Sequence, residues 1–281
     1  MARIDILSDL HLDAYFPHTP KVKKEAVKDI FDPIFLVNRT SVGDVLIIAG
    51  DIGHYNEQNI EILRIFRQEY YQNIVCVLGN HDYYLNSKDE QEKYQKSSFA
   101  RVEEMRALIN AEEGMYCLNG AVVEIDGIRF GGVDSSYNNA YLKVYFPISD
   151  NPRSNNEYWK MNMPDHKMMF GIKKYNQLYK LSLPLLEAVY KDCDVMITHV
   201  NPSFLHQHLS PSWQNNRSSM FYSFDGHRFL EGGSMKYWLF GHTHNRLEYE
   251  HYGVTCICNP LGYPPEEDYN KMAVTLRSIE L

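Results

Sequence analysis

The sequence has no apolar run long enough to cross a membrane, so we expect neither a transmembrane helix nor a membrane partner. Near the start, Arg3, Asp5 and Asp9 interrupt the apolar stretch. A secretion signal has an uncharged apolar segment at that place. These features together predict a cytoplasmic protein.

Cysteine is scarce, with five residues, an odd number, and no Cys-x-x-Cys spacing. Without paired or closely spaced cysteines, neither a disulfide framework nor a thiolate zinc site is expected. The sequence predicts that they are small buried residues in a reducing compartment.

Positively charged residues are outnumbered: the sequence has 28 Lys and Arg against 36 Asp and Glu, which gives a formal net charge of −8. This balance argues against nucleic acid as the main partner, because non-specific binding to phosphates needs a basic surface. An anionic small-molecule substrate stays open, since bound cations can reverse the local sign. Apolar residues make up 44% of the 281 positions, enough for a sizeable core, while the oligomeric state is left open.

The first third of the chain alternates between two patterns. Short, mainly apolar runs predict strands at 3–7, 45–50 and 74–79, of which the last two are buried. Helical spacing of apolar residues predicts helices at 21–38, 57–72 and 88–112. This alternation is typical of parallel strands joined by crossover helices.

The rest of the chain has a more varied pattern. It predicts a hairpin of strands 121–125 and 128–133, a helix at 172–191, and strands at 194–198, 237–240, 247–253, 254–258 and 272–279. The segments 135–170 and 201–235 show no clear period and are expected to be irregular, cap-like loops. We expect residues 1–281 to form one domain, with two sheets packed face to face and helices outside.

Five polar segments follow predicted strands. They are Ser8-Asp9-Leu10-His11, Gly50-Asp51, Gly79-Asn80-His81-Asp82, His199, and Gly241-His242-Thr243-His244. Because ligands of open α/β folds bind beyond the carboxyl ends of strands, we expect these segments to meet at one crevice.

The seven donor side chains at these strand ends are two carboxylates, one amide and four imidazoles: Asp9, Asp51, Asn80, His11, His199, His242 and His244. This mixture suits Mn, Fe, Zn, Ni or Co, and seven donors exceed what one tetrahedral ion needs. Two ions that share a carboxylate would use them all. Taken singly, each residue has a plainer interpretation as a helix cap, a turn residue or a core histidine, but these would have to hold at all five strand ends together.

The motifs DLH, GD, GNHD, TH and GHTH, in this order, resemble those of the calcineurin-like binuclear metallophosphoesterases. The resemblance implies a four-layer α/β/β/α sandwich of two mixed sheets, with a first metal on Asp9, His11, Asp51 and His244. It implies a second metal on Asp51, Asn80, His199 and His242. Asp51 would bridge the ions. His81 would be the proton donor to the leaving oxygen, and Asp82 would orient that region.

The function implied is hydrolysis of a phosphomonoester or phosphodiester, with nucleotides among the candidates, by attack of a metal-bridging hydroxide. Two alternatives remain. The superfamily includes DNA-repair nucleases, although the acidity of this chain counts against a nuclease acting on DNA or RNA. It also includes a retromer subunit, a non-catalytic scaffold, but scaffolds tend to lose ligands or the proton-donating histidine, and this chain keeps them.

The chain departs from the superfamily's Ser/Thr protein phosphatases, whose second motif reads GDxxDRG. Here Gly50-Asp51 is followed by Ile52-Gly53-His54, without the Asp that would pair with the catalytic histidine or the Arg that would bind phosphate. We expect His54 on a solvated loop, with a phosphate contact at the rim of the pocket as the alternative. The segment 259–263 is similar to the NPxGY tail of some bacterial and phage-type members and is expected to form a structural turn. Candidate phosphate contacts are Arg153, Arg217 and Arg246.

Overall fold

The computed structural model describes residues 2–36, 42–264 and 276–281. In these residues the strands are β1 (Arg3–Leu7), β2 (Val45–Ala49), β3 (Asn73–Val77), β4 (Met115–Cys117), β5 (Ala121–Ile125), β6 (Ile128–Val133), β7 (Val195–Thr198), β8 (Tyr237–Phe240), β9 (Leu247–His251), β10 (Val254–Cys258) and β11 (Arg277–Glu280). The α-helices are α1 (Leu12–Tyr15), α2 (Lys24–Phe35), α3 (Asn56–Glu69), α4 (Lys88–Lys93), α5 (Ser98–Asn110), α6 (Ala140–Tyr145), α7 (Pro152–Asn162), α8 (Asp165–Met168), α9 (Gln177–Val189) and α10 (His227–Gly232).

The strands form two mixed sheets. The first has the order β11-β1-β2-β3-β4, in which β1 to β4 are parallel and β11 is antiparallel to β1. The second has the order β5-β6-β7-β8-β10-β9, with a parallel centre and an antiparallel strand at each edge. The predicted hairpin pairs β5 with β6 through Asp126 and Gly127, both with positive φ, as a two-residue hairpin turn requires.

The alternation of side chains along the strands builds the layers. In β2, Val45 and Ile47 join the apolar cluster between the sheets, which also holds Phe130 and Ile197 of the second sheet. Leu46 and Ile48, which point to the other face of β2, belong to the larger cluster that packs against the helices. Because both faces of such a strand are covered, its sequence is continuously apolar. The result is the expected four-layer α/β/β/α arrangement.

The prediction of one long helix at 88–112 is wrong. The structure has α4 and α5, separated by a turn in which Gln95 and Lys96 adopt positive φ. Ser87 and Glu90 form a capping box that starts α4, and the Ser97 side chain caps α5. These polar caps define two short helices where apolar spacing suggested one.

The segments 135–170 and 201–235 were expected to be irregular, and the structure corrects this. They contain α6, α7, α8 and α10 together with short 3₁₀ turns. Asn and Pro start one of these helices: the Asn151 side chain accepts from the first turn of α7, and Pro152 is its first residue. The other three helices have only four to six residues and leave too few apolar repeats for a period to be visible in the sequence.

Two predicted elements extend beyond the described residues. The helix predicted at 21–38 is described from Lys24 to Phe35, and 37–38 lie outside. The strand predicted at 272–279 is described only at Arg277–Glu280. None of the helices in the described ranges combines the length and apolar character that a bilayer crossing requires.

Candidate metal centre

The polar segments at the strand ends are joined to one another by short hydrogen bonds. In the first sheet, the Asp9 N–H donates to the Gly50 carbonyl over 3.0 Å. In the second, the Gly241 N–H donates to the His199 carbonyl over 2.8 Å. The His242 N–H donates to Asp9 Oδ1 over 2.8 Å and so connects the two sheets. The crevice therefore lies where the carboxyl ends of strands from both sheets meet.

A first group of donors lies around Asp9. One side-chain donor atom from each of Asp9, His11, Asp51 and His244 lies within 4.8 Å of the others. The Nε2 atoms of His11 and His244 face each other at 3.0 Å, and His244 Nε2 is 3.7 Å from Asp9 Oδ1. Three of these residues are fully or almost fully buried, and only His244 is partly exposed.

A second group shares Asp51 with the first. Donor atoms of Asp51, His199 and His242 also lie within 4.8 Å of one another. His199 Nε2 is 3.4 Å from Asp51 Oδ1 and 3.0 Å from Asn80 Oδ1. The structure thus brings all seven sequence-predicted ligands into two adjoining groups, with Asp51 common to both.

Neighbouring groups orient the donors toward the crevice. His199 Nδ1 lies 2.9 Å from the Ala49 carbonyl, and His242 Nε2 lies 2.9 Å from the Phe221 carbonyl. Since a carbonyl can only accept, each of these nitrogens carries a proton, and the other ring nitrogen is the one left to bind a metal. Histidine ligands of metals are held in this way.

Asn80 is oriented by two side chains that the sequence did not indicate. Its amide nitrogen donates to the Tyr84 hydroxyl over 3.1 Å and to Asp165 Oδ1 over 3.2 Å. Asp165 begins α8 in the segment expected to be an irregular loop. With the nitrogen engaged there, the amide oxygen faces His199 and the crevice.

The backbone at the site is under strain. Five of the seven donor residues have φ in the left-handed region, namely Asp9, His11, Asp51, His242 and His244. A non-glycine residue in this region costs of order 1–3 kcal/mol, and such residues cluster at functional sites. Glycine is required beside them: a Cβ on Gly79 would lie 2.2 Å from Asp51 Oδ1.

The buried carboxylates of the site need positive charge nearby. Asp9 and Asp51 are almost fully buried. Burial would raise the pKa of Asp51, but the imidazoles of His199 and His81 outweigh it and lower that pKa. Burial would likewise lower the pKa of His199, but Asp51 outweighs it and raises the value to about 10. In the metal-free protein, a proton on His199 therefore supplies positive charge that the buried carboxylates need.

The net shift of the His242 pKa is in the opposite direction to that of His199. Burial lowers it to about 3, so the ring stays neutral. A neutral imidazole is the form that binds a metal. The buried carboxylates, the oriented imidazoles and the amide oxygen of Asn80 therefore fit a pair of metal ions.

Comparison with known proteins agrees with this geometry. The sequence profile of the calcineurin-like phosphoesterases matches residues 2–246. This chain belongs to the calcineurin-like phosphoesterase family. No curated protein matches it in sequence.

Two solved structures show how this calcineurin-like phosphoesterase compares in fold. The phosphopantetheinyl hydrolase of Mycobacterium tuberculosis is 16% identical, with 98% of this chain and 95% of that chain covered and a TM-score of 0.71. A dimetal phosphatase from Danio rerio is 13% identical, with 94% and 90% covered and a TM-score of 0.44. The first of these likenesses supports the family fold.

A cavity of about 330 Å³ adjoins the donor groups of this calcineurin-like phosphoesterase. Asp51, Asn80, His81, His242 and His244 form part of its lining. The remaining lining residues are Tyr84, Asn162, Met163, Pro164, Trp213, Tyr222, Thr243 and Tyr263. Residues from both cap-like segments and from the tail therefore cover the site, and the aromatic ones among them come from segment 201–235 and from the tail.

Tyr263 corrects the expectation that segment 259–263 is only a structural turn. Its ring stacks on His11, with centroids 4.2 Å apart and planes within 21°, and it lies 5.3 Å from the His244 ring. The available signal was that segment 259–263 begins directly after a predicted strand, as the other site segments do.

His81 and Asp82, the two predicted catalytic residues, lie in different surroundings. His81 lines the cavity, and its backbone N–H donates to Asp51 Oδ1 over 2.8 Å. Asp82 is buried, and its carboxylate accepts from the backbone N–H groups of Gly79, Ile52 and Gly53. Asp82 therefore braces two of the ligand-bearing turns against each other.

The three candidate arginines do not line the cavity. Arg153 is almost fully exposed and pairs with Glu157. Arg217 donates to Ser154 and lies over the Tyr158 ring, and Arg246 lines a different cavity. No lysine or arginine occurs among the described residues that line the cavity beside the donors.

Proposed function

We propose that this protein is a metal-dependent hydrolase of a small phosphoester. The observation that carries the proposal is the pair of donor groups that share Asp51 at the base of an open cavity. In this proposal one ion is held by Asp9, His11, Asp51 and His244, and the other by Asp51, Asn80, His199 and His242. When bound, paired ions of this kind activate a water molecule as nucleophile and neutralise phosphoryl oxygens. The donors suit Mn, Fe, Zn, Ni or Co.

His81 is the proposed proton donor. In the proposed reaction, the water oxygen forms a bond to phosphorus and the bond to the leaving oxygen breaks. The leaving oxygen takes a proton from His81, and a proton released by the attacking water restores the imidazolium. Burial lowers the pKa of His81, with Asp51 opposing. A bound phosphoester anion adds negative charge beside the ring and favours its protonated form.

Asp82 is proposed to hold the turns that carry two of the proposed metal ligands. Its carboxylate accepts three backbone N–H bonds from the turns that carry Asp51 and Asn80. We therefore assign to it the role of a positioning residue for the ligands.

The cavity lining favours a phosphodiester over a phosphomonoester. A monoester carries up to two negative charges at neutral pH and a diester carries one. Because the described residues of the lining include no lysine or arginine, no permanently charged side chain there is available for the second charge. The walls are aromatic: the rings of Trp213 and Tyr222 lie 4.6 Å apart. Such walls suit a planar or apolar substituent on the phosphate, a nucleotide base included.

The test is hydrolysis of bis-p-nitrophenyl phosphate and p-nitrophenyl phosphate by protein loaded separately with Mn, Zn, Ni, Co or Fe. We expect metal-dependent turnover, a higher kcat/KM for the diester, and loss of activity on chelation. Asp51→Asn should abolish turnover, and Trp213→Ala should raise KM for the aryl diester. Full activity after chelation, or in Asp51→Asn, would refute the proposed function. A higher kcat/KM for the monoester would refute only the diester preference.

A further inference from the structure

His54, expected on a solvated loop, instead contacts the proposed proton donor. Its Nε2 lies 3.0 Å from Nδ1 of His81. The two ring planes are within 2° of each other, with centroids 5.2 Å apart. The exposed fraction of the His54 side chain is only 18%, so the contact is largely shielded from water.

On its other side, His54 is held by Asp13 of α1. The second ring nitrogen, Nδ1, is 3.0 Å from Asp13 Oδ2. The other carboxylate oxygen, Oδ1, accepts the backbone N–H of His54 over 3.0 Å. The amide nitrogen of Asn86, a donor, also lies 2.6 Å from Nδ1. Both the backbone and the ring of His54 are therefore tied to one carboxylate.

This arrangement determines where the protons lie. Two groups compete for Nδ1: the Asp13 carboxylate can only accept, and the Asn86 amide nitrogen can only donate. Because a hydrogen bond to an ionised group is the stronger one, we assign the proton to His54 Nδ1, which donates to Asp13. In a neutral His54 the remaining nitrogen, Nε2, then has a lone pair and accepts from His81 Nδ1–H. With its Nδ1 proton engaged in this way, His81 has Nε2 as the ring nitrogen available to a substrate in the cavity.

We propose that His54, anchored by Asp13, is a positioning residue that fixes the orientation and tautomer of His81 so that Nε2 serves the leaving oxygen. This inference rests on the proposed function. It also accounts for the departure of the chain from the GDxxDRG pattern: a carboxylate still supports the proton donor, but it comes from α1 and acts through a second imidazole.

The first test uses His54→Ala, His54→Gln and, as a matched control, His18→Ala. His18 stacks on Tyr55, which follows His54 in the sequence, with ring centroids 3.5 Å apart. Loss of the His18 side chain therefore probes general damage to the same region. The substrates are aryl phosphodiesters with p-nitrophenol and with phenol as leaving groups. Phenol is the poorer leaving group and depends more on the acid.

For the phenyl ester, we expect His54→Ala to lower kcat by about 10- to 100-fold, part of the roughly 10²–10⁴-fold that a general acid contributes. KM, metal content and turnover of the p-nitrophenyl ester should stay within about twofold, since only acid assistance is lost. The glutamine amide can accept from His81 Nδ1, so His54→Gln should recover much of the loss. The control should behave as wild type.

A second readout does not depend on turnover. In ¹⁵N NMR spectra of zinc-loaded protein, with His81 assigned by its absence in His81→Ala, we expect the Nδ1–H tautomer in the wild type. His54→Ala should shift His81 toward the Nε2–H tautomer.

Three results would overturn the inference: an equal loss for both esters, a change in KM alone, or an unchanged His81 tautomer in His54→Ala. If instead the wild type hydrolyses neither ester with any metal, the proposed function fails, and the tautomer measurement still decides the role of His54.

Discussion

Replacement of Gly79 by alanine tests how tightly the strand ends are packed around the shared carboxylate. The added Cβ would lie 2.2 Å from Asp51 Oδ1 and 2.6 Å from both the Asp51 N and His199 Cε1. Real Cβ atoms essentially never approach other atoms closer than 3.0 Å. Asp51 or His199 would therefore have to retreat by about 1 Å, and a displacement of that size can lower a rate by roughly 100-fold.

We expect Gly79→Ala to fold, to bind metal more weakly than the wild type, and to lose about two orders of magnitude in kcat/KM on bis-p-nitrophenyl phosphate. The matched control is Gly232→Ala in α10, where the nearest atom would be 3.7 Å away, an ordinary contact. Metal content and kcat/KM are to be measured together for both variants. If Gly79→Ala had the metal content and the kcat/KM of the wild type, the claim that Asp51 and His199 occupy a fixed site against this turn would be refuted.

Two further predictions concern stability. Asp82→Asn replaces one carboxylate oxygen by an N–H donor that faces backbone N–H groups, and it should lower the free energy of unfolding by roughly 1–3 kcal/mol. Urea unfolding checks this against Asp192→Asn, an exposed site, and equal stability of the two variants would count against the bracing role. The folded-state pKa of His199, about 10, lies above its ordinary 6.5, so this residue stabilises the metal-free fold below pH 6.5, and the stabilisation disappears as the pH rises toward 10. In chelated protein, the loss of stability from pH 7 to 10 should be smaller in His199→Asn than in the wild type; identical losses would contradict the ion pair with Asp51.

Much of the fold could be predicted because buried parallel strands have a distinctive sequence pattern. The continuous apolar runs of β2 and β3 identified strands covered on both faces. The polar residues directly after them were expected to meet in space, and the structure brings them together. Their assignment as metal ligands remains a prediction that metal analysis has to test.

Other parts of the site depend on contacts that no local pattern encodes. Asp13 and His54 are far apart in sequence, and only the packing of α1 against the turn after β2 brings them together. Asp165 orients Asn80 from a helix of four residues, which is too short to show a period. Tyr263 reaches His11 because the tail after β10 folds over the crevice.

The central claim is that Asp51 is shared by two metal sites, and metal stoichiometry tests it most directly. Purified chain should be reconstituted with Mn or Zn, freed of excess metal, and analysed by elemental mass spectrometry beside His11→Ala and Asp51→Asn. We predict two ions per chain in the wild type, one in His11→Ala, and weakened binding of both in Asp51→Asn. A wild type with one ion or none, or an Asp51→Asn variant that holds two ions as tightly as the wild type, would contradict the claim.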